Sequence, residues 1–175
     1  MPRRYNIIRK DEIENIVRGC SDNKIRALIS LFYITGWRVS EVIQIRKEDF
    51  NINDGYVYLT GVALKRRDKR EYRHVIKFSV NTPLFEYVNN YLNTLEPIQK
   101  LFPLMTRQLA LYYIKKEKKN LFCHLFRHTR ASRLAEIGGT EFQLQTWFGW
   151  KYGNMASEYV RKSPKLIEDL ADRID

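Results

Sequence analysis

Cysteine is nearly absent: the 175-residue chain has two, Cys20 and Cys123. Two thiols cannot build the disulfide framework of a small secreted domain, and they point to a reducing compartment. Long apolar runs are missing too. No stretch of about 18 apolar residues occurs, so no membrane span is expected. The opening MPRRYNIIRKDE lacks the apolar core of a secretory signal. Internal repeats, linkers and low-complexity tracts are also lacking. Acid is scarce: 20 Asp and Glu face 31 Lys and Arg, a net charge of +11. With 44% hydrophobic and 13% aromatic residues the composition is globular, which excludes a disordered or collagen-like chain. The length fits one domain, large enough to bury a core without metal or disulfide staples. A strongly basic globular domain calls for a polyanionic partner.

The excess charge is concentrated. Val62 to Lys77 holds seven basic residues against Asp68 and Glu71. Arg107 to Arg133 holds eight against Glu117 alone. The remainder of the chain is close to neutral, with 16 basic and 17 acidic residues. A charged run is often just a solvated face. Two concentrated runs on a neutral background favour nucleic acid, with contacts to phosphates as the physical basis.

Apolar spacing predicts mostly helix with one β-hairpin. Ile13, Ile16 and Val17 lie on one face of a helix from Lys10 to Arg18. Ile25, Leu28, Ile29, Phe32 and Tyr33 mark a second, stopped near Gly36. A short helix is expected from Ser40. Asn53-Asp54-Gly55 is a turn, followed by strands over Tyr56 to Leu59 and Tyr72 to Phe78. Further helices are expected from Thr82-Pro83 to Leu95, from Arg107 to Lys119 behind Thr106, from Phe122 to Ile137, and from Thr140 to Phe148. Asn154 to Arg161 reads as a short helix, and Ser163-Pro164 opens an amphipathic tail.

Three local patterns carry more meaning together than apart: TGWRVSEV (Thr35 to Val42), HLFRHT (His124 to Thr129) and FGWKYGNMASEYV (Phe148 to Val160). Their order and spacing resemble the catalytic domain of tyrosine recombinases, the phage-type integrases and their archaeal relatives. In that family an Arg follows T-G-x before S-E, and an H-x-x-R-H-T run opens a later helix. A G-H or G-W step precedes the nucleophilic Tyr by nine residues, the separation of Trp150 and Tyr159 here. The resemblance covers essentially the whole chain. It implies a mainly α fold with a small antiparallel β-hairpin or sheet.

It also implies a chemistry. The family cuts DNA by attack of a tyrosine oxygen on phosphorus, leaving a 3′-phosphotyrosine and a free 5′-hydroxyl, and rejoins without metal, cofactor or ATP. Such phosphoryl transfer needs charge on the nonbridging oxygens and in-line placement. Arg38 and Arg127 hold the family's two Arg positions, and a guanidinium fork suits phosphate. His124, one turn before Arg127, can exchange a proton or bond a phosphate oxygen. His128 falls one residue off that face and reads as a structural polar residue. Cys123, His124 and His128 make no convincing metal set, because H-E-x-x-H would need Glu where Leu125 stands. Trp150 stands where most members carry His; its N–H can donate but cannot shuttle a proton. It can equally be a core aromatic beside Trp147 and Phe148. Tyr159 is the expected nucleophile, with Arg161 and Lys162 alongside to favour the phenolate. Tyr152 lies too close to Trp150.

The family's hairpin lysine, general acid to the departing 5′ oxygen, matches Lys65, or Lys69 if the hairpin register differs. Arg66, Arg67, Lys69 and Arg70 are expected on backbone phosphates. So are Arg130 and Lys115, Lys116, Lys118 and Lys119, the lysines equally as a solvated helix end. Members usually carry an N-terminal DNA-clamping domain, so the chain is expected to be the catalytic domain alone. The expected partner is double-stranded DNA, with a dimer or tetramer formed through the acidic tail past Tyr159 as one option. The expected setting is the cytoplasm and nucleoid, in an archaeal virus or mobile element. A non-cleaving DNA-binding remnant or a type IB topoisomerase-like enzyme are the alternatives.

Overall fold

The computed structural model describes residues 7–63 and 72–163. The fold is built around one buried helix. α1 (Lys10–Gly19) puts Asp11 and Glu12 in its first turn and Arg18 in its last, which complements the helix dipole. Its Ile13 and Val17, one turn apart, are fully buried. α2 (Asn23–Thr35) starts on Asp22, whose carboxylate accepts from the Lys24 and Ile25 amides at 2.8 and 3.3 Å. From Ala27 onward α2 is buried on every side, with the hydroxyls of Ser30 and Thr35 donating back to the Arg26 and Leu31 carbonyls. Leu28, Ile29, Leu31 and Phe32 have no exposed surface. Each stabilises the fold by about 1.5–3 kcal/mol in removed apolar area. Gly36 ends the helix in the left-handed region at φ 62°, with its amide bonded to the Phe32 carbonyl at 2.9 Å. α3 (Val39–Val42) follows at once.

The sheet has three antiparallel strands in the order β1 (Phe50–Asn53), β2 (Tyr56–Ala63) and β3 (Tyr72–Ser79). Asp54 and Gly55, at φ 49° and 77°, make the tight turn between β1 and β2. The sequence predicts only the second and third strands. Phe50-Asn51-Ile52-Asn53 carries little strand propensity, and its pairing to Leu59 through Tyr56 arises from the turn. Alternation along β2 and β3 is regular. Val57, Leu59, Gly61 and Ala63 face inward with His74, Ile76 and Phe78, while Tyr56, Arg73, Val75 and Lys77 face out.

Four further helices and one shorter than predicted complete the fold. α4 (Phe85–Leu92) begins two residues past Pro83, because a turn at Thr82 and a left-handed Leu84 (φ 71°) intervene. α5 (Arg107–Glu117) is capped by Thr106, whose hydroxyl accepts from Leu109 N at 3.1 Å. α6 (Cys123–Glu136) runs against α2. α7 (Glu141–Phe148) opens on a reciprocal cap between Thr140 and Gln143. α8 (Asn154–Arg161) places Ala156, Tyr159 and Val160 on its inner face, at the spacing of one turn. No helix among the described residues is long and apolar enough to cross a membrane. The amphipathic tail expected from Ser163-Pro164 lies beyond the described residues, apart from Ser163 itself.

Two indoles lock the end of α2 to α7. Trp37 Nε1 donates to the Trp147 carbonyl at 2.9 Å, and Trp147 Nε1 donates to the Thr35 carbonyl at 2.8 Å. This exchange satisfies carbonyls at two helix ends and fixes the segment that carries Arg38.

Candidate active site

Arg38 leaves α2 directly after the Trp37 anchor. Its backbone N–H donates to Glu41 Oε2 at 2.7 Å and its guanidinium to Glu41 Oε1 at 3.0 Å. The Glu41 side chain is fully buried and that of Arg38 is 29% exposed. A buried carboxylate requires such a partner. Glu41 therefore aims the one guanidinium edge and leaves the others toward solvent.

Arg127 sits in the second turn of α6, 7% exposed. Its Nη1 donates to the Gly36 carbonyl at 3.2 Å. Its guanidinium carbon lies 4.7 Å from the Phe148 ring centre and 5.2 Å from that of Trp150, within cation–π range. Burial, with neighbouring Arg38 adding, pushes its pKa down to about 10, so it remains a cation at neutral pH. Its Nη2 is buried with no hydrogen-bond partner among the described residues.

Phe148, Trp150 and Tyr159 form a stack beside this cation. Phe148 and Trp150 are 4.6 Å apart at 26°, and Trp150 and Tyr159 are 6.0 Å apart at 11°. Trp150 is 9% exposed, so it is a core aromatic, and its Nε1 is buried without a partner among the described residues. Between them Gly149 turns at φ 61°, and a β-carbon there would lie 3.1 Å from Ala63 Cβ and from His74 Nδ1. Only glycine suits both the backbone and the space.

Tyr159 is half-buried in the last turn of α8. Its phenol is held above the usual value by burial, against the opposing pull of Arg127. The expected assistance from Arg161 and Lys162 is not what the structure has. Arg161 is exposed, and Lys162 Nζ pairs with Glu158 at 2.7 Å. The imidazole at the Tyr159 hydroxyl is that of His128, with Nδ1 and Oη 3.4 Å apart. His124 is exposed in the first turn of α6. The sequence predicts a structural role for His128, off the helical face, yet a spacing of four residues turns it only about 40° from His124.

The basic runs divide. Lys65, Arg66, Arg67, Lys69 and Arg70 lie outside the described residues. Lys115, Lys116 and Lys119 are exposed, and Lys118 pairs with Glu12 of α1. Arg130, expected on DNA backbone, is turned inward: its Nε and Nη2 both donate to the Tyr33 carbonyl, at 3.0 and 2.7 Å. Burial pushes its pKa to about 10 as well. Arg133 likewise donates to the Ile8 carbonyl at 3.0 Å.

Sequence reasoning missed His74. It is 4% exposed, packs edge-on to Trp37 at 4.8 Å, and neither ring nitrogen has a partner among the described residues. Burial first, then Arg127, hold it below the ordinary imidazole value, with Glu41 opposing. The alternation His74, Ile76, Phe78 was the available signal.

Comparison with known proteins agrees with this geometry. Residues 6–165 match the phage integrase family, so the chain belongs to that family. Tyrosine recombinase XerD of Staphylococcus saprophyticus is 30% identical over 163 residues, covering 83% of this chain and 52% of that protein. Its counterpart in Staphylococcus aureus is 28% identical over 188 aligned positions, covering 94% and 61%. The chain thus spans roughly half to three-fifths of these relatives, which are bacterial and lend no support to an archaeal affinity. Among solved structures, the XerH site-specific recombinase bound to difH substrate superposes with a TM-score of 0.70 at 17% identity, over 95% of this chain and 53% of that one. The catalytic domain of bacteriophage HP1 integrase superposes at 0.63 and 17% identity, over 95% and 93%. The fold is that of tyrosine recombinase catalytic domains.

Proposed function

We propose that the chain is the catalytic unit of a site-specific DNA recombinase that breaks and rejoins strands through a phosphotyrosine. One observation carries this reading: Arg127, buried and still cationic, has an Nη2 with no partner among the described residues, beside the Trp150–Tyr159 stack. A buried guanidinium N–H without a partner is costly, and a phosphate oxygen is the acceptor that removes the cost. Arg38 supplies a second fork, held at its root by Glu41. Double-stranded DNA is the substrate, as the solved relatives bound to DNA support.

In the proposed reaction the Arg38 and Arg127 guanidiniums bind the nonbridging oxygens of the scissile phosphate. They stabilise the charge that accumulates as the Tyr159 oxygen approaches. The Trp150 plane fixes the tyrosine ring, and its N–H is a further donor. Phosphorus passes from the 5′ oxygen to Tyr159, and the freed 5′ oxygen takes a proton from a hairpin lysine, Lys65 or Lys69. Conservation of one phosphodiester throughout removes any need for ATP, and three cationic groups do the work of a metal. His124, exposed one turn before Arg127, is the candidate partner for a phosphate oxygen.

The test is covalent trapping on nicked duplex DNA. Wild-type protein is expected to give a denaturation-resistant protein–DNA band that survives EDTA and vanishes in Tyr159→Phe. A band that persists in Tyr159→Phe would remove Tyr159 as nucleophile. Duplex binding without any band would identify a non-cleaving module.

A further inference from the structure

The structure leaves the tyrosine with an unsolved difficulty. Its phenol is raised by burial, and the basic residues next to it in sequence are directed elsewhere. A raised phenol does not ionise unaided at neutral pH, so the attacking oxygen needs a proton acceptor within hydrogen-bond reach. One ring nitrogen is there. His128 Nδ1 lies 3.4 Å from Tyr159 Oη, with the ring centres 5.5 Å apart and the planes inclined at 49°. The contact is long for a hydrogen bond, as such contacts often are before substrate arrives.

The pair is positioned by rigid elements. His128 and Arg127 are neighbours on α6, which packs on both α2 and α8. Tyr159 is held from the other side by Trp150, nearly parallel to it. Ser163, just past α8, is buried and donates to the Ala135 carbonyl of α6 at 2.9 Å. This bond ties the C-terminal end of α8 to α6, the helix that carries His128.

We propose that His128, through Nδ1, accepts the hydroxyl of Tyr159 and takes its proton as the phenol attacks. The inference rests on the strand-cutting function proposed above. In the step, the Tyr159 Oη–H bond breaks and the proton passes to Nδ1. The Oη–P bond forms as the P–O5′ bond breaks, and the 5′ oxygen is protonated by a separate acid or by water. His128 is thereby a catalytic residue, and His124 is left to the phosphate.

The first arm of the test needs no DNA. The chain has three histidines, so 15N ring spectra are assignable by single variants of His74, His124 and His128. In the free protein at about pH 8, where imidazole is normally neutral, His128 is expected as the tautomer protonated on Nε2 with Nδ1 bare. Its Nδ1 signal is expected to move in Tyr159→Phe. A proton on Nδ1, or no response to Tyr159→Phe, overturns the proposal. The second arm measures adduct formation on a pool of nicked duplexes of randomised sequence, with oxygen or sulfur at the bridging 5′ position. His128→Ala and His128→Asn are expected to slow adduct formation by ~10²-fold or more, with His128→Asn folded normally. The sulfur substrate, which leaves without a proton, is expected not to rescue them. Rescue by sulfur would place His128 on the leaving group and overturn the assignment. His128→Asn at wild-type rate would reduce the contact to packing. If wild-type protein gives no adduct on the whole pool, the cleavage reading and the proton-transfer role fail together, while the 15N arm separately decides the hydrogen bond.

Discussion

The indole of Trp37 occupies the space where residue 61 would carry a side chain. A β-carbon on Gly61 would fall 2.4 Å from the ring. Gly61 pairs with His74 across β2 and β3, and Trp37 rests on both. The ring is fully buried and also bonded to Trp147. Gly61→Ala is therefore expected to lower stability by about 1–3 kcal/mol, the range for overpacking a filled core. Urea unfolding checks this, and an unchanged midpoint would show that the sheet yields.

Glu41 is the second point of leverage. It is buried with its charge committed to Arg38, and it touches no DNA in the proposed reaction. Glu41→Ala is expected to reduce covalent adduct formation strongly, since the Arg38 side chain loses its anchor. Removal of one partner of a fully buried pair costs on the order of 3–5 kcal/mol; here the charge left behind is the partly exposed Arg38, which water can solvate, so the expected loss falls below that range. Adduct yield and thermal melting, measured together, separate aiming from folding. Full activity in a destabilised variant would deny Glu41 its aiming role.

Arg127→Lys keeps a positive charge and loses the fork. The bond to the Gly36 carbonyl and the Nη2 donor, which has no partner among the described residues, cannot both be reproduced by one ammonium. Adduct formation is expected to drop by roughly 10²-fold, the scale of losing one positioned donor. Duplex binding is expected to change little. A near-normal rate of adduct formation would argue that charge alone suffices.

His74 makes stability depend on pH. Its native imidazole is held below the ordinary value by burial. The unfolded chain therefore takes up a proton at a pH where the native chain does not. Stability is complete above the ordinary imidazole pKa, about 6.5, and is lost as pH falls from there toward the native value. Urea midpoints measured from about pH 8 down to about pH 5 are expected to decline. The decline is expected to flatten in His74→Phe. An identical slope in both proteins would assign it to other groups.

The exposed lysines of α5 and its C-terminal end are proposed contacts to the DNA backbone. Lys115→Ala, Lys116→Ala and Lys119→Ala together are expected to weaken binding to duplexes of any sequence alike. The slope of log affinity against log salt is expected to fall by about 0.9 for each phosphate that is no longer neutralised. An unchanged slope would mark the three as a solvated helix end.

Most of the helices were legible because burial here follows simple periods. Ile13 with Val17, and the run from Ala27 through Thr35, announce α1 and α2. Caps at Thr106 and Thr140 sit where their residue types indicate. β1 was hidden because Asn51 and Asn53 mask a strand that exists only through pairing. The site was legible as a set of motifs and less so as contacts. Which imidazole meets Tyr159 depends on how α6 and α8 cross, and no spacing within one helix encodes that. Arg130 looked like a DNA contact because a basic run says nothing about direction. Its two bonds to Tyr33 answer a helix end that lies 97 residues away in sequence.

The paired indole bonds at the end of α2 have a consequence for the growing chain. Trp37 and Trp147 are separated by 110 residues; Trp147 supplies the acceptor for Trp37, and Thr35 supplies the acceptor for Trp147. While the polypeptide is being made, the segment bearing Arg38 emerges before the residues it closes against. The carbonyls of Thr35 and Gly36 then still lack Trp147 and Arg127 as donors. Only when the last quarter of the chain arrives do Trp147, Trp150 and Tyr159 arrive together. A ribosome-borne fragment thus lacks the two-sided hold on one phosphate that is proposed for the folded unit.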